Sequence, residues 1–286
     1  MKTFSENRAS ITHNFQKRYS FLYSGGKVMN IRKKSALFTA AAVTALSVLT
    51  GCASSTKTET KEKHFIVATD KGFSPFEFED EYGHVIGIDM DILDAISKDQ
   101  NFTYDLHYIG WDAAIAECQA GQADGMIAGA SITQERRASG WIFSDGYYKA
   151  TQGMAVAADS DIAGFEDLSG KNVVVKNGTM SDLYATELSE KYGFTVTRVS
   201  TSPDMYQQVM GGQAAACFDD TPILKYSIKS GNLSMKFVEG TENEPADYGF
   251  AIFDNDKQEL IELFNAGLAN IKKDGTYDKI IAKYLG

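Results

Sequence analysis

The sequence FIVATDKGFSPFEF at residues 65–78 shows the pattern on which the fold prediction rests. The apolar run at residues 65–69 predicts a strand, and Asp70 follows it directly, ahead of Phe73 and further aromatic residues. Ligands of open α/β sheets bind outside the carboxyl ends of the strands, so a carboxylate at that place suits a ligand cleft. On this residue alone, an aspartate that only serves its own turn is an equally good explanation.

Strand-like and helical patterns alternate along the rest of the chain. Strands are predicted at residues 65–69, 103–109, 125–129, 173–176, 195–199, 214–218, 235–238 and 248–253. Helices are predicted at residues 89–97, 111–120, 181–192, 204–210, 222–229 and 260–271. Alternation of this kind predicts an α/β fold with mainly parallel sheets.

Two segments indicate that the chain crosses between two lobes. Residues 147–157 and 248–253 bracket a stretch that has its own alternation of strands and helices. We therefore predict a first lobe from residues 64–148 and 249–286. A second lobe is predicted from residues 149–248, with hinge segments at its ends.

Charge and motifs exclude several classes of function. The chain has 28 basic and 38 acidic residues and a net charge of -10, which disfavours binding to the phosphate backbone of nucleic acids. The four histidines lack metal-ligand spacing, and there is no phosphate loop, nucleophile elbow or dinucleotide fingerprint. We predict no metal, no cofactor and no enzyme activity. Cys118 and Cys217 are predicted to be buried free thiols, with a disulfide between them as the alternative.

Residues 1–51 are predicted to be a leader that carries a lipoprotein signal peptide. Three basic residues at 32–34 precede an uncharged run that is shorter than the roughly 20 residues of a membrane span. The run ends in Leu-Thr-Gly-Cys at residues 49–52, which resembles the lipobox of bacterial lipoproteins. We expect Cys52 to carry the lipid, residues 52–63 to form a tether, and Met29 to be the true start. A marginal N-terminal membrane anchor is the alternative.

Polar residues at strand ends outline a ligand site in both predicted lobes. In the first lobe, Arg136 lies in the first turn of a helix, and a guanidinium fork is a natural grip for a carboxylate. In the second lobe, Lys176 ends one predicted strand and Asp220 lies just after another. Arg136 and Ser131 together with Asp220 would hold a carboxylate and an ammonium group at once, which is the outline of an α-amino acid. A surface arginine and an aspartate that only caps a helix remain the alternatives.

Ordered sequence blocks over residues 63–286 carry a resemblance to a known family. The blocks are ATD at 68–70, FSPFEF at 73–78, GIDMD at 87–91, AGASITQER at 128–136, FSDGYY at 143–148, KNGT at 176–179, DTP at 220–222 and GTY at 275–277. In these blocks the chain resembles the family 3 extracellular solute-binding proteins of ABC transporters for polar amino acids. It is most similar to the glutamine-binding group.

The resemblance implies a two-lobed, type II periplasmic-binding-protein fold with a two-strand hinge that closes on one amino acid. Arg136 and Ser131 would bind the ligand carboxylate, and Asp70 and Lys176 would address its side chain. One acceptor and one donor suit a neutral amide, so glutamine is the favoured ligand. The implied ligand-binding residues are Asp70, Phe73, Trp111, Gly129, Ser131, Arg136, Lys176, Met180 and Asp220.

The remaining implied contacts fall on the ligand's ammonium group and its aliphatic stem. Asp220 and the Gly129 carbonyl would take the ammonium group, while Phe73 and Trp111 would pack against the stem. Two positions depart from the glutamine group, in which a glycine is usual at Met180 and a histidine is familiar at position 219.

These departures keep other ligands open. Asp219 and Asp70 together make a basic amino acid such as arginine, lysine or histidine possible, although Lys176 argues against it. Asparagine and glutamate are further alternatives.

The resemblance also implies where the protein works and with what. A monomer of this kind, anchored by lipid at the extracytoplasmic face of a bacterial, Gram-positive plasma membrane, would deliver its amino acid to an ABC permease. The ATPase subunits of that permease would be separate chains. A sensor module and an enzyme similar to cyclohexadienyl dehydratase are the two other classes left open.

Overall fold

The computed structural model describes residues 63–231 and 233–286. The predictions for the leader, for Met29, for Cys52 and for tether residues 52–62 therefore lie outside the described residues. Lys63, the last residue of the predicted tether, already belongs to the first strand. Within the described part of the chain, no helix is long and apolar enough to cross a membrane.

Fourteen strands and eight α-helices are found in the described residues. In chain order the elements are β1 (Lys63–Thr69), β2 (Phe78–Glu79), β3 (Val85–Ile86), α1 (Ile88–Gln100), β4 (Phe102–Tyr108), α2 (Trp111–Gln119), β5 (Gly125–Met126), α3 (Gln134–Ala138), β6 (Ile142–Phe143), β7 (Tyr148–Ala150), β8 (Gln152–Ala157), β9 (Asn172–Lys176), α4 (Met180–Tyr192), β10 (Thr195–Val199), α5 (Ser202–Met210), β11 (Ala216–Asp220), α6 (Thr221–Ser230), β12 (Met235–Val238), β13 (Ala246–Tyr248), β14 (Ala251–Ile252), α7 (Gln258–Lys273) and α8 (Thr276–Leu285). Short 3₁₀ helices span Phe165–Leu168 and Asn255–Lys257.

Each lobe contains one five-stranded sheet with four strands in one direction and a fifth strand opposed to them. The strand order is β4-β1-β5-β14-β6 in the first lobe and β10-β9-β11-β8-β12 in the second. The opposed strands are β14 and β8, which pair antiparallel with both of their neighbours. Each opposed strand enters its sheet directly after β13 or β7, which pair with each other as an antiparallel ribbon. The α/β architecture with mainly parallel sheets is confirmed.

Helix packing supplies part of the core of the first lobe. Ile92 and Ile96 of α1 and Phe264 and Leu268 of α7 are buried in one apolar cluster. Burying a side chain of this kind stabilises the fold by about 1.5–3 kcal/mol. Gly267 lets the two helices approach, because a Cβ there would come within 2.7 Å of Ile96. The apolar face predicted for residues 260–271 is therefore the face that α7 buries.

Of the strand boundaries that differ from the prediction, three have a cause in the hydrogen bonds or the conformation of the backbone. The predicted strand 248–253 is divided into β13 and β14, since the Gly249 amide donates to the Ala130 carbonyl. β5 ends at Met126, three residues early, ahead of Gly129 with its left-handed φ of 55°. β11 runs on to Asp220, because Asp219 and Asp220 pair with β8. Cys118 and Cys217 are both buried free thiols, as predicted.

Gly87 allows an unusually close contact at the start of α1. Its φ is 139°, and a Cβ there would lie 2.0 Å from the Phe76 carbonyl oxygen, so only glycine fits. The contact lets the amide of Asp89 donate to the Phe76 carbonyl at 3.0 Å. Glu77 and Asp89 are consequently neighbours inside the first lobe.

Candidate functional site

A small, largely enclosed cavity lies between the carboxyl ends of the two sheets. All nine residues that the resemblance implies for ligand binding line this cavity. Ala128, Thr179 and Asp219 also line it and were not among those nine. Five of the lining side chains carry charge: the acids Asp70, Asp219 and Asp220 and the bases Arg136 and Lys176.

Arg136 is held in the wall of the first lobe by both its backbone and its side chain. Thr133 caps α3, accepting a hydrogen bond from the Arg136 amide at 3.1 Å. The guanidinium donates to the Ser131 carbonyl at 2.9 Å and lies over the rings of Trp111 and Trp141, about 5 Å from each centroid. Arg136 is only 3% exposed, so the alternative of a surface arginine is wrong.

Asp220 faces the cavity from the second lobe and makes no capping hydrogen bond with its side chain. Instead its carboxylate accepts hydrogen bonds from Gln152 at 2.7 Å, from Ser181 at 3.3 Å and from the hydroxyl of Tyr248. Burial raises the pKa of Asp220, while these three donors lower it. The alternative of a purely capping aspartate is therefore wrong, and α6 begins at Thr221 with Asp220 as its N-cap residue.

Asp219 brings a second carboxylate to the same wall. It accepts hydrogen bonds from Ser202 at 2.9 Å and Tyr206 at 2.8 Å, both in α5. Burial, reinforced by the neighbouring charge of Asp220, raises the pKa of Asp219 to about 6. This carboxyl group is therefore able to change its charge close to neutral pH.

Asp70 and Lys176 pair across the cavity. Asp70 follows β1 of the first lobe and Lys176 ends β9 of the second, and their side chains form an ion pair that is almost fully buried. The Lys176 ammonium also lies 5.2 Å from the centroid of the Phe73 ring. Removing one member of a buried ion pair leaves the other charge without a partner, which is costly. A ligand that separates Asp70 from Lys176 must therefore offer a partner to each of them.

Other contacts join the lobes at the rim. The indole nitrogen of Trp111 donates to the Gly178 carbonyl at 3.3 Å, and Asn177 donates to the Asp112 carboxylate at 3.3 Å. Met180 begins α4 beside this rim, and the hydroxyl of Thr179 caps that helix.

Gly129 occupies a position in which a side chain would disturb the cavity. Its φ is 55°, and a Cβ there would lie 2.6 Å from the Phe73 ring. The amide of Gly129 donates to the Asp89 carboxylate at 3.0 Å. Its backbone is thus fixed by a side chain that lies outside the cavity lining.

Several residues that support the site were missed by the sequence reasoning. Gln152 and Tyr248 hold Asp220, Tyr206 holds Asp219, and Trp141 lies over Arg136. Gln152 and Tyr248 fell inside the predicted hinge segments, but nothing in their spacing pointed to a carboxylate. The stretch that contains Trp141 offered no signal at all.

The arrangement suits binding of a small zwitterion between two lobes. A cation lies in one wall and a pair of acids in the other, with an ion pair and aromatic surfaces between them. Residues 65–286 match the family described as bacterial extracellular solute-binding proteins, family 3, and the chain belongs to that family. Its fold is the type II periplasmic-binding-protein fold.

Relatives of the chain include proteins named for several amino acids. The arginine-binding periplasmic protein of Mannheimia haemolytica is 30% identical over 85% of this chain and 98% of its own length. An ancestral arginine-binding protein, solved bound to arginine and also to glutamine, is 33% identical with a TM-score of 0.72. That alignment covers 79% of this chain and 99% of the other. The substrate-binding domain 2 of Lactococcus lactis GlnP, in an open conformation, is 38% identical with a TM-score of 0.56, over 79% and 96%.

Proposed function

We propose that this chain is an extracytoplasmic binding protein that captures a polar amino acid, glutamine first, and delivers it to an ABC permease. The observation that carries the proposal is the placement of Arg136 and Asp220 on opposite walls of one cavity. A guanidinium fork binds a carboxylate through charge-assisted hydrogen bonds, and a carboxylate binds an ammonium group. Ser131 and the Gly129 carbonyl would complete those two contacts.

The preference for glutamine follows from the Asp70 and Lys176 pair. An amide side chain offers an NH₂ group to Asp70 and a carbonyl oxygen to Lys176, so both charges keep a partner. Phe73 and Trp111 would cover the aliphatic stem. An acidic ligand is disfavoured, because the lining already has three acids against two bases.

A basic amino acid is the second candidate. It is favoured by Asp219, which adds a carboxylate to the cavity, and by the relatives named for arginine. Lys176 opposes it, because its ammonium would face the cationic end of the ligand. A binding titration of the full chain with each amino acid tests both candidates.

Closure would proceed by bending at the antiparallel ribbon of β7 and β13. We propose these strands as the hinge between lobe 1, residues 64–148 and 249–286, and lobe 2, residues 149–248. A ligand that touches both walls favours the closed state in proportion to its differential affinity for that state. The protein would act as a monomer without catalysis, and the permease and its ATPase subunits would be separate chains.

Lipid attachment at Cys52 is proposed from the Leu-Thr-Gly-Cys motif. It would hold the protein at the outer face of the plasma membrane of a Gram-positive bacterium. Radiolabelled palmitate supplied to cells that express the full chain is expected to label the protein, and Cys52→Ser is expected to remove the label. Equal labelling of the two proteins would contradict the anchor.

Amino-acid affinity is expected to fall about ten-fold between pH 7.5 and pH 5. The pKa of Asp219 is about 6, so acidification removes a negative charge from the wall that would face the ammonium group. The free energy of unfolding of the ligand-free protein should instead increase as the pH falls. Because the pKa of Asp219 is raised on folding, the native state binds this proton more tightly than the unfolded state does. The stabilisation that the proton supplies is present at acid pH and is lost as the pH rises through about 6.

Calorimetric titration with glutamine at several pH values tests this expectation. Asp219→Asn should bind with little pH dependence over the same range, and Asp204→Asn serves as the matched control, because Asp204 is exposed. A wild-type affinity that is flat from pH 7.5 to 5 would show that Asp219 does not face the ligand.

A further inference from the structure

Two carboxyl groups, Glu77 and Asp89, lie side by side behind the cavity and are fully buried. One Asp89 oxygen accepts hydrogen bonds from the Gly129 amide at 3.0 Å and the Tyr147 hydroxyl at 2.8 Å. In the described part of the chain, no N–H or hydroxyl donor reaches the other Asp89 oxygen or either oxygen of Glu77. The two carboxyl groups are within hydrogen-bonding reach of each other, so a proton on one of them is the donor that these three oxygens lack.

A proton on one of the two carboxyl groups would remove the repulsion between them. Two buried carboxylates in contact repel, whereas a carboxylic acid donates a hydrogen bond to a neighbouring carboxylate. Burial raises the pKa of Glu77 well above its usual value, and the charges of Asp89 and Asp70 raise it further. Burial also raises the pKa of Asp89, to about 7, but the hydrogen bonds from Tyr147 and Gly129 oppose that rise. The proton therefore belongs on Glu77.

The other titratable groups around Glu77 are consistent with this assignment. Asp70 faces it from the end of β1, Tyr108 from β4, and Tyr147 from the segment before β7. Lys176 faces it from the second lobe, and its charge lowers the pKa of Glu77. Lys176 is already committed to Asp70 through their buried ion pair.

We propose that Glu77 keeps a proton at neutral pH, donates a hydrogen bond through it to the Asp89 carboxylate, and thereby positions Gly129 and Tyr147 for ligand binding. Gly129 lines the cavity, and its amide donates both to the Asp89 carboxylate at 3.0 Å and to the Tyr147 hydroxyl at 3.2 Å, which itself donates to Asp89. Tyr147 directly precedes β7, and its carbonyl accepts a hydrogen bond from Tyr277 at 2.6 Å. One shared proton thus links the cavity wall to the start of the ribbon that joins the lobes. Only the effect on ligand affinity rests on the proposed function.

The first test counts the proton without any ligand. Above pH 5 an unfolded Glu77 is ionised, whereas the native group keeps its proton, so rising pH should destabilise the wild type. Its folding equilibrium constant is expected to fall up to about ten-fold more per pH unit than that of Glu77→Gln. The side-chain amide that Glu77→Gln introduces can donate the same hydrogen bond but has no titratable proton.

Glu81→Gln is the matched control for this test, because Glu81 is an exposed acid in the same segment. It should show the pH dependence of the wild type. Identical pH dependence of stability in the wild type and in Glu77→Gln would overturn the proposal.

The second test follows the amide of Gly129 by hydrogen exchange at pH 7. Exchange in Glu77→Gln is expected to stay within about two-fold of the wild type. Glu77→Met fills similar space but cannot donate, so exchange at Gly129 should be at least about ten-fold faster. Equal exchange rates of the Gly129 amide in Glu77→Gln and Glu77→Met would show that the Glu77 proton does not position Gly129. If Glu77→Met does not fold, the pH dependence of Glu77→Gln decides the matter alone.

A third measurement connects the proton to binding, with glutamine as the probe. Glu77→Gln should keep the wild-type dissociation constant at pH 7 and lose less affinity than the wild type between pH 7 and pH 9, since both proteins share only the loss that comes from deprotonation of the ligand's own ammonium group. Failure of glutamine to bind either protein would contradict the proposed ligand and leave the two ligand-free tests intact. A wild-type affinity that declines in parallel with that of Glu77→Gln would contradict the link to binding.

Discussion

Arg136→Ala is expected to weaken amino-acid binding at least about 100-fold. The guanidinium is buried in the cavity wall and oriented by the Ser131 carbonyl and two indole rings. Truncating one partner of a buried, hydrogen-bonded charge pair costs about 2–5 kcal/mol of binding free energy, and the ligand carboxylate would lose its principal cation. Calorimetric titration with glutamine measures the effect, and circular dichroism checks that the variant is folded.

Arg137→Ala is the matched control, because Arg137 is the next residue of the same short helix and is exposed. It should bind glutamine as the wild type does. Arg136→Lys keeps the charge but loses the planar fork, so an intermediate affinity is expected. If Arg136→Ala binds within a few-fold of the wild type, the carboxylate does not bind where we place it.

Lys176→Met is expected to change which amino acid binds. The substitution leaves the Asp70 carboxylate buried without its partner, and breaking a buried ion pair in this way costs about 3–5 kcal/mol. A ligand with a cationic side chain supplies the missing charge, whereas glutamine does not. The ratio of arginine to glutamine affinity should therefore rise at least about 100-fold relative to the wild type.

The double variant Asp70→Asn with Lys176→Met isolates the charge effect, because it removes both members of the pair. Its preference for arginine should disappear. Competition titrations with the two amino acids on each variant give the ratios directly. An unchanged ratio in Lys176→Met would mean that the pair does not face the ligand side chain.

The sequence was sufficient for the fold because periodicity and strand-end residues are local signals. Strand and helix alternation predicted two mainly parallel sheets, and the apolar face at residues 260–271 predicted the buried face of α7. Boundaries failed where distant backbone groups compete for hydrogen bonds, as at Gly249, whose amide bonds to Ala130. Competition of that kind depends on tertiary placement and leaves no mark on local periodicity.

The site was predictable only in part. Polar residues at strand ends and at a helix start predicted Asp70, Ser131, Arg136, Lys176 and Asp220, and the family resemblance added Phe73, Trp111, Gly129 and Met180. The residues that hold the cavity lining from behind were not predictable, because their hydrogen bonds join positions far apart in the chain. Gln152 reaches Asp220 across 68 positions, and Tyr147 reaches Asp89 across 58. A shared proton between Glu77 and Asp89 is visible only when the two buried acids are seen in contact.

Specificity is the central claim, and a calorimetric screen of the purified full chain against the twenty amino acids tests it most directly. The protein is first unfolded and refolded to remove any bound ligand. Glutamine should bind most tightly, with arginine and lysine weaker and glutamate weakest among the polar side chains. If arginine binds most tightly, the protein is still an amino-acid-binding protein, but the role proposed for Lys176 is wrong. Absence of binding to every amino acid would contradict the account.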